Sequence, residues 1–287
     1  MDTRVDVRKT YKLFINGSFP RSESGRTYAV SDTRGRFWAN ASQASRKDAR
    51  DAVLAARGAQ AGWAGATAYN RGQVLYRIAE MLEGRRGQFE DEVARSEGVS
   101  ARKAAGLVDS AIDRWVWYAG WSDKLAQVLG SSNPVAGPYF NFSVPVPTGV
   151  VAAVAPPDSS LLGLVSVLAP IIVTGNTCVL VAAQDRPLPA ITLAEVLATS
   201  DLPGGVVNIL TGDYAEIGPW LAGHADVNAL DLTGVIDDGV STQMQVEAAG
   251  TVKRVLSHVG GDWSADPGLG RLRAFVETTT VWHPQGV

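Results

Sequence analysis

The stretch from Pro147 to Gly261 constrains the fold of this chain more than any other. Short β-rich apolar runs alternate there with longer helical segments, and Gly, Pro and Asn punctuate each junction. Strands are expected at 150–154, 178–181, 206–210, 229–232 and 254–259. Helices are expected at 161–173, 189–199, 215–222 and 239–250. Strands alternating with helices at this spacing make βαβ units, which assemble a parallel sheet covered by helices on both faces. The expected fold class is therefore α/β.

The flanking segments add local signals. Lys12 to Phe19 reads as a hairpin, because Asn16-Gly17 suits the positive φ angles of a tight type I′ turn. Ser45-Arg46-Lys47-Asp48 resembles a helix-starting capping box, with Asp in place of the usual Glu. Three apolar stripes at helical spacing follow: Ala49, Ala52, Val53 and Ala56; Val74, Leu75, Ile78, Ala79 and Leu82; Val108, Ile112, Trp115 and Ala119. Trp115, Trp117 and Trp121 are read as core and interface packing rather than a ligand stack. Phe140, Phe142, Val144 and Val146 alternate with Asn141, Ser143 and Pro145, a period-two strand. Pro145 and Pro147 confine that strand to an edge or to an arm outside the main sheet.

Composition narrows the function classes. Of 287 residues, 19% are charged and 46% hydrophobic, the balance of an ordinary globular protein. Net charge is −3 without a long basic block, so no nucleic-acid partner is expected. The single cysteine, Cys178, permits no intrachain disulfide. That suits a reducing compartment, and Met1-Asp2-Thr3-Arg4 opens no apolar signal core, so a cytoplasmic location is expected. The apolar run 161–173 is too short to span a bilayer and contains Pro170; it reads as a buried helix, and no membrane association is expected.

Five landmarks occur in a fixed order: Pro147-Thr148-Gly149 leading into Val150–Val154; Thr174-Gly175-Asn176-Thr177-Cys178; Leu202-Pro203-Gly204-Gly205-Val206-Val207-Asn208-Ile209-Leu210-Thr211-Gly212; Leu232-Thr233-Gly234; and Val259-Gly260-Gly261. In that order they resemble the cofactor domain of the aldehyde dehydrogenase superfamily. The resemblance implies a Rossmann-like parallel sheet with helices on both faces, plus a projecting two-strand oligomerisation arm. It divides the chain into an NAD(P)-binding-type domain at 1–138 and 149–262 and an arm at 139–148 and 271–287. After Gly261 the family enters its catalytic domain, whereas here a short Asp/Pro/Gly linker leads to 272–282, which resembles the last strand of the arm. The catalytic domain is expected to be absent, as though excised with both arm strands kept. The resemblance extends to two-module aldehyde dehydrogenases whose second module is non-catalytic.

Aldehyde oxidation by hydride transfer needs a nucleophile, an oxyanion donor and a base. The resemblance places an Asn where this chain has Asp158 and a Glu where it has His258. An ionised Asp158 accepts hydrogen bonds and would oppose an oxyanion. His258 is a base by type, but with no partner constellation nearby in sequence it is read as a structural histidine. Cys178 lies inside an apolar strand and is read as a small buried hydrophobe, not the family's nucleophile. Asp158 and His258 are thus vestigial positions, and no catalytic residue or metal ligand is expected.

The resemblance also marks the cofactor positions. A Lys-Pro-Ser-Glu stretch that anchors ribose in the family corresponds to Val181-Ala182-Ala183-Gln184, which removes both charged contacts. A Thr-Gly-Ser turn near the pyrophosphate corresponds to Thr233-Gly234-Val235, followed by Asp237 and Asp238. A carboxylate about 6 Å from a phosphate costs roughly 1–3 kcal/mol. No cofactor is expected, and any NAD binding should be weak.

The expected function is a non-catalytic subunit that associates through its β-arm with a full-length aldehyde dehydrogenase, or with itself as a homo-oligomer. Phe140, Phe142, Val144, Phe275, Val281 and Trp282 are the expected interface residues. The alternative is an NAD(P)-dependent oxidoreductase acting on aldehydes, alone or through a site shared with a partner.

Overall fold

A computed structural model describes residues 9–257 and 260–286. The N-terminal part contains β1 (Thr10–Tyr11), β2 (Thr27–Ser31) and β3 (Phe37–Ser42). Helices α1 (Arg46–Gly65), α2 (Ala68–Glu83), α3 (Arg86–Glu97), α4 (Ala101–Trp121) and α5 (Leu125–Leu129) follow, then β4 (Ser131–Ser132) and β5 (Tyr139–Pro147). The alternating half runs β6 (Val150–Val154), α6 (Leu162–Val173), β7 (Thr177–Val181), α7 (Leu188–Leu197), β8 (Val207–Leu210), α8 (Tyr214–Gly223), β9 (Ala229–Asp231), α9 (Asp238–Ala249) and β10 (Arg254–Leu256). The short α10 (Gly270–Ala274) and β11 (Val276–Pro284) complete it.

Strands β6 to β10 form one parallel sheet in the order β10-β9-β6-β7-β8. The reversal of order between β6 and β9 makes that junction the topological switch point. Side chains alternate between two cores. Val151, Ala153, Cys178 and Leu180 face the larger core with α2, α4 and α6. Val150, Ala152, Val154, Val179 and Val181 face a second core with α1, α8 and α9. Helices on both faces explain why these strands read as continuous apolar runs rather than alternating ones. Helix α6 is buried at all twelve positions, the buried core helix expected from its composition.

The local signals produce their elements. Asn16 and Gly17 have φ of 51° and 73°, and Ile15 and Ser18 exchange both main-chain hydrogen bonds across the turn. Phe14 then bridges antiparallel to Ile209 at the edge of the main sheet. The capping box of α1 is complete: Asp48 N donates to Ser45 Oγ at 3.3 Å and Ser45 N to Asp48 Oδ2 at 2.8 Å. The same carboxylate accepts from Ser22 Oγ and Glu23 N, fixing the preceding loop on the helix start. Trp115 is fully buried, while Trp117 and Trp121 pack their rings together on the core's rim.

β11 pairs antiparallel with β5 over nine residues, Val276↔Pro147 through Pro284↔Tyr139. This ribbon lies outside the main sheet, as the two prolines require. Two features differ from expectation. The two-residue β4 adds a third strand, at Ser131↔Ser143 and Ser132↔Phe142. Residues 271–275 belong to the body rather than the arm: Leu272 and Phe275 are fully buried in the larger core. The expected interface role of Phe275 is therefore corrected, because its ring is already covered by its own chain. The small sheet β1-β3-β2 also went unread in the sequence, its strands being short and half-exposed. The expected strand 254–259 is a strand at Arg254–Leu256; residues 258 and 259 lie outside the described residues.

Candidate functional site

A cleft of about 500 Å³ opens at the C-terminal ends of β6 and β7, beside the turn that follows β9. Ala155 and Pro157 line it from the β6 side, Ala183 to Arg186 from β7, and Gly234 and Ile236 from the β9 turn. Ser31, Asp32, Thr33, Ser96 and Tyr214 close its outer wall. This is where open α/β sheets bind ligands, outside the carboxyl ends of the strands at the switch point.

The charge in the cleft is largely pre-committed. Asp32 accepts from the main-chain N–H groups of Arg34 and Arg36 and from Arg36 Nε, and these donors hold its carboxyl below the usual range, the Arg36 side chain most. Arg186 donates through Nη1 to the carbonyl of Asp158 at 3.2 Å. Ser96 is buried and its Oγ has no partner. Asp185 is exposed at the mouth.

Of the positions weighed for aldehyde chemistry, Cys178 and Asp158 lie within the described residues, one buried in β7 and the other exposed in the loop after β6. Cys178 is fully buried in mid-strand, and burial pushes its thiol well above the ordinary range, away from the nucleophilic thiolate. Asp158 is exposed in the loop after β6, where both its oxygens accept from Trp263 Nε1, at 3.2 and 3.3 Å. His258 lies outside the described residues. Among the described residues, no group of three or more His, Cys, Asp or Glu side chains is placed to hold a metal ion. None of the helices described is long and apolar enough to cross a membrane.

The cofactor positions separate. Gln184 and Gly234 line the cleft together. Val181 and Val235 point away into the second core, fully or nearly buried. Thr233 is also buried, its Oγ1 accepting from Arg271 Nη2 at 2.9 Å. The N-terminus of α9 is capped by Asp237, whose Oδ1 accepts from Val240 N at 2.9 Å, with Asp238 in the first turn. A phosphate approaching that helix end would meet two carboxylates in place of free amides. Two carboxylates therefore stand at the start of α9, and of the positions read for a cofactor only Gln184 and Gly234 line the cleft.

Sequence reasoning missed a cluster beside the cleft. Asp231, fully buried at the end of β9, accepts from Thr233 N at 3.0 Å and from Arg271 Nη1 at 2.8 Å. Arg271 stacks over Trp263, and Arg114 donates to the carbonyls of Trp263 and Ala265. The available signal was an acid inside an apolar strand, since a carboxylate there demands a cation.

On the arm, Phe140 and Trp282 are exposed, while Phe142, Val144 and Val281 are half-buried. Phe140 stacks on Phe142, and Tyr139 meets Trp282 edge-on.

The sequence profile described as the aldehyde dehydrogenase family matches residues 19–265. The chain belongs to this family. Among its relatives, retinal dehydrogenase 2 of Gallus gallus is 33% identical over 264 residues, covering 90% of this chain and 50% of the relative. Cytosolic 10-formyltetrahydrofolate dehydrogenase of Xenopus tropicalis is 34% identical over 269 residues, covering 90% of this chain and 29% of the relative. An NAD+ complex of aldehyde dehydrogenase from Bacillus cereus superposes with a TM-score of 0.82 at 27% identity, covering 88% of this chain and 51% of that one. The chain thus spans 50% of the one curated relative and 29% of the other, half of their length or less. The aldehyde dehydrogenase scaffold is present, and its Rossmann-like sheet accounts for the cleft at the switch point.

Proposed function

We propose that this chain is a non-catalytic aldehyde-dehydrogenase-like subunit that associates through its β-arm with a full-length aldehyde dehydrogenase. The observation that carries this reading is the pairing of an exposed arm with a disarmed centre. Among the described residues, β11 pairs only with β5, leaving the other edge of a nine-residue strand open. Open strand edges join other sheets by strand addition. At the centre, the sole cysteine is sealed in β7, and the resemblance to the family puts Asp158, an acid, at the position of its oxyanion donor. A stable arm-mediated interface buries above about 2,000 Å². Phe140, Phe142, Val144, Val281 and Trp282 supply apolar area toward it.

The second reading is an NAD-dependent oxidoreductase acting on aldehydes, alone or through a site shared with a partner. Its support is the cleft itself and the likeness to an NAD+ complex. Missing ribose anchors and the capped α9 should weaken a dinucleotide by roughly two orders of magnitude or more. Calorimetry distinguishes the two: NAD+ binding at micromolar strength supports the second reading. Co-expression with a full-length aldehyde dehydrogenase, followed by native mass spectrometry, tests the first. A heteromer is expected. A chain that stays a stable monomer, or that turns over aldehydes when pure, overturns it.

A further inference from the structure

The segment that leads from Gly260 into β11 is held by the body at three separate places. Trp263 Nε1 reaches the Asp158 carboxylate in the loop after β6. Arg114, from α4, donates Nη2 to the carbonyls of Trp263 and Ala265, at 2.8 and 2.9 Å. Arg271 enters the end of β9, donating to Asp231 Oδ2 at 2.8 Å and to Thr233 Oγ1 at 2.9 Å. Its guanidinium also lies 5.5 Å from the centre of the Trp263 ring.

The anchors share a location. Asp158 follows β6 and Asp231 ends β9, the two adjacent strands between which the sheet order reverses. Gly163, at the start of α6, leaves room for the indole: a Cβ there would lie 3.2 Å from Trp263 Cε2, and closer still to Pro156 and Ser159. Pro157 lines the open cleft, while Asp158, its neighbour, holds the tryptophan. The switch-point crevice is therefore divided. One side is the open cleft, and the other is filled by Trp263 and Arg271.

From this geometry we infer that segment 262–275 is a cover acting in cis. It occupies the β6–β9 side of the switch-point crevice, with Asp158 and Asp231 as its positioning residues. Asp231 is an acid at full burial, which is stable only with its cation in place; a lone buried carboxylate would carry a large desolvation penalty. Arg271 is thus required by the fold, and its entry draws the segment onto the strand ends. Asp158 adds an exposed hydrogen bond from a neutral donor to a charged acceptor. Ligands are confined to the cleft side, and a partner reaches the chain through its arm rather than through this face.

Hydrogen exchange on the full chain, read by mass spectrometry, tests the cover, and its outcome does not depend on whether the chain joins a partner. In the unaltered chain, amides within 263–275 should exchange well below the rate of an unstructured peptide. Asp158→Ala and Trp263→Phe should each speed that exchange about fivefold or more, the scale of one typical net hydrogen bond. Combined, they should do no more than Trp263→Phe alone, because that variant has already removed the hydrogen bond to Asp158. Asp231→Asn with Arg271→Met removes the buried pair together, leaving no orphaned charge. It should release the segment while exchange in β6 and β7 stays unchanged. Unstructured exchange rates for 263–275 in the unaltered chain, or additive effects of Asp158→Ala and Trp263→Phe, would overturn the inference. Those two variants alter only partly exposed contacts, so the test stands even if the paired variant does not fold.

Discussion

Asn176 donates through Nδ2 to the carbonyl of Phe275 at 2.7 Å, while its Oδ1 accepts from Gly149 N at 2.7 Å. One fully buried amide therefore ties the root of the arm to the start of the sheet. Asn176→Ala leaves the Gly149 N–H unmatched and takes one of two donors from the Phe275 carbonyl, which keeps Thr148 N at 3.2 Å. Chemical denaturation should show a loss of about 1–3 kcal/mol, the cost of one orphaned buried group. A loss below about 0.5 kcal/mol, the level of a neutral surface change, would mean that the amide does not couple arm and sheet.

Glu92 offers a test by pH. Its side chain is buried in α3, where Oε1 accepts from Thr192 Oγ1 at 2.8 Å, Tyr11 Oη at 3.2 Å and Gln88 Nε2 at 3.2 Å, and Oε2 has no partner. Burial raises its carboxyl above the ordinary value of 4.5, outweighing these donors and Lys9, which favour the anion. A carboxyl raised on folding stabilises the chain fully below its unfolded value, and that contribution fades as pH rises through the folded value. Glu92→Gln removes the titration while keeping the shape. The variant should gain on the unaltered chain as pH climbs from about 4.5 toward neutrality. Parallel stability curves for the two proteins across that window would show that Glu92 does not titrate in the fold.

The sheet half of the fold was legible because its strands are buried on both faces and its helices are bounded by Gly, Pro and Asn. The strands beginning at Val150 and Thr177 and the helices beginning at Leu162 and Asp238 fall within a residue of the sequence reading. The β1-β3-β2 sheet was not legible, since Thr27 to Ser31 and Phe37 to Ser42 carry no clean alternation and gain their order from tertiary pairing. The pattern of the arm was visible, but its root was misplaced. Phe275 looks like any exposed aromatic in sequence, and only α10 folding against α6 buries it. Of the positions read for the candidate site, Gln184 lines the cleft, whereas Val181 faces the second core and Asp158 holds Trp263. The contacts of Asp231 with Arg271 and of Asp158 with Trp263 join distant segments that no local periodicity brings together.

Cys178 should be silent to thiol reagents. With its side chain fully buried in β7 and its thiol pushed up by burial, labelling by an aromatic disulfide should wait on unfolding. Cys178→Ala should lower stability by about 1–2 kcal/mol through the small cavity it leaves. The same variant should leave any aldehyde turnover of a purified sample unchanged. Rapid labelling of the native chain, or turnover abolished by Cys178→Ala, would place a reactive thiolate where burial forbids one.

The arm makes the most direct functional prediction. Phe140 and Trp282 project from neighbouring strands on opposite faces of the ribbon, Phe140 against Phe142 and Trp282 against Tyr139. Both are about half exposed, at 48% and 58%, so neither supports the fold of the isolated chain to any great degree. Exposed aromatics on an open ribbon are the anchors an interface would use, and truncating an anchor typically costs about 2 kcal/mol or more of binding. Phe140→Ser with Trp282→Ser should therefore leave the thermal midpoint nearly unchanged while weakening association at least about thirtyfold. Sedimentation of the paired variant, with a full-length aldehyde dehydrogenase and alone, reads both outcomes. Unaltered complexes at matched concentrations would mean that association runs through another face, and a large fall in the midpoint would mean that the two rings belong to the fold.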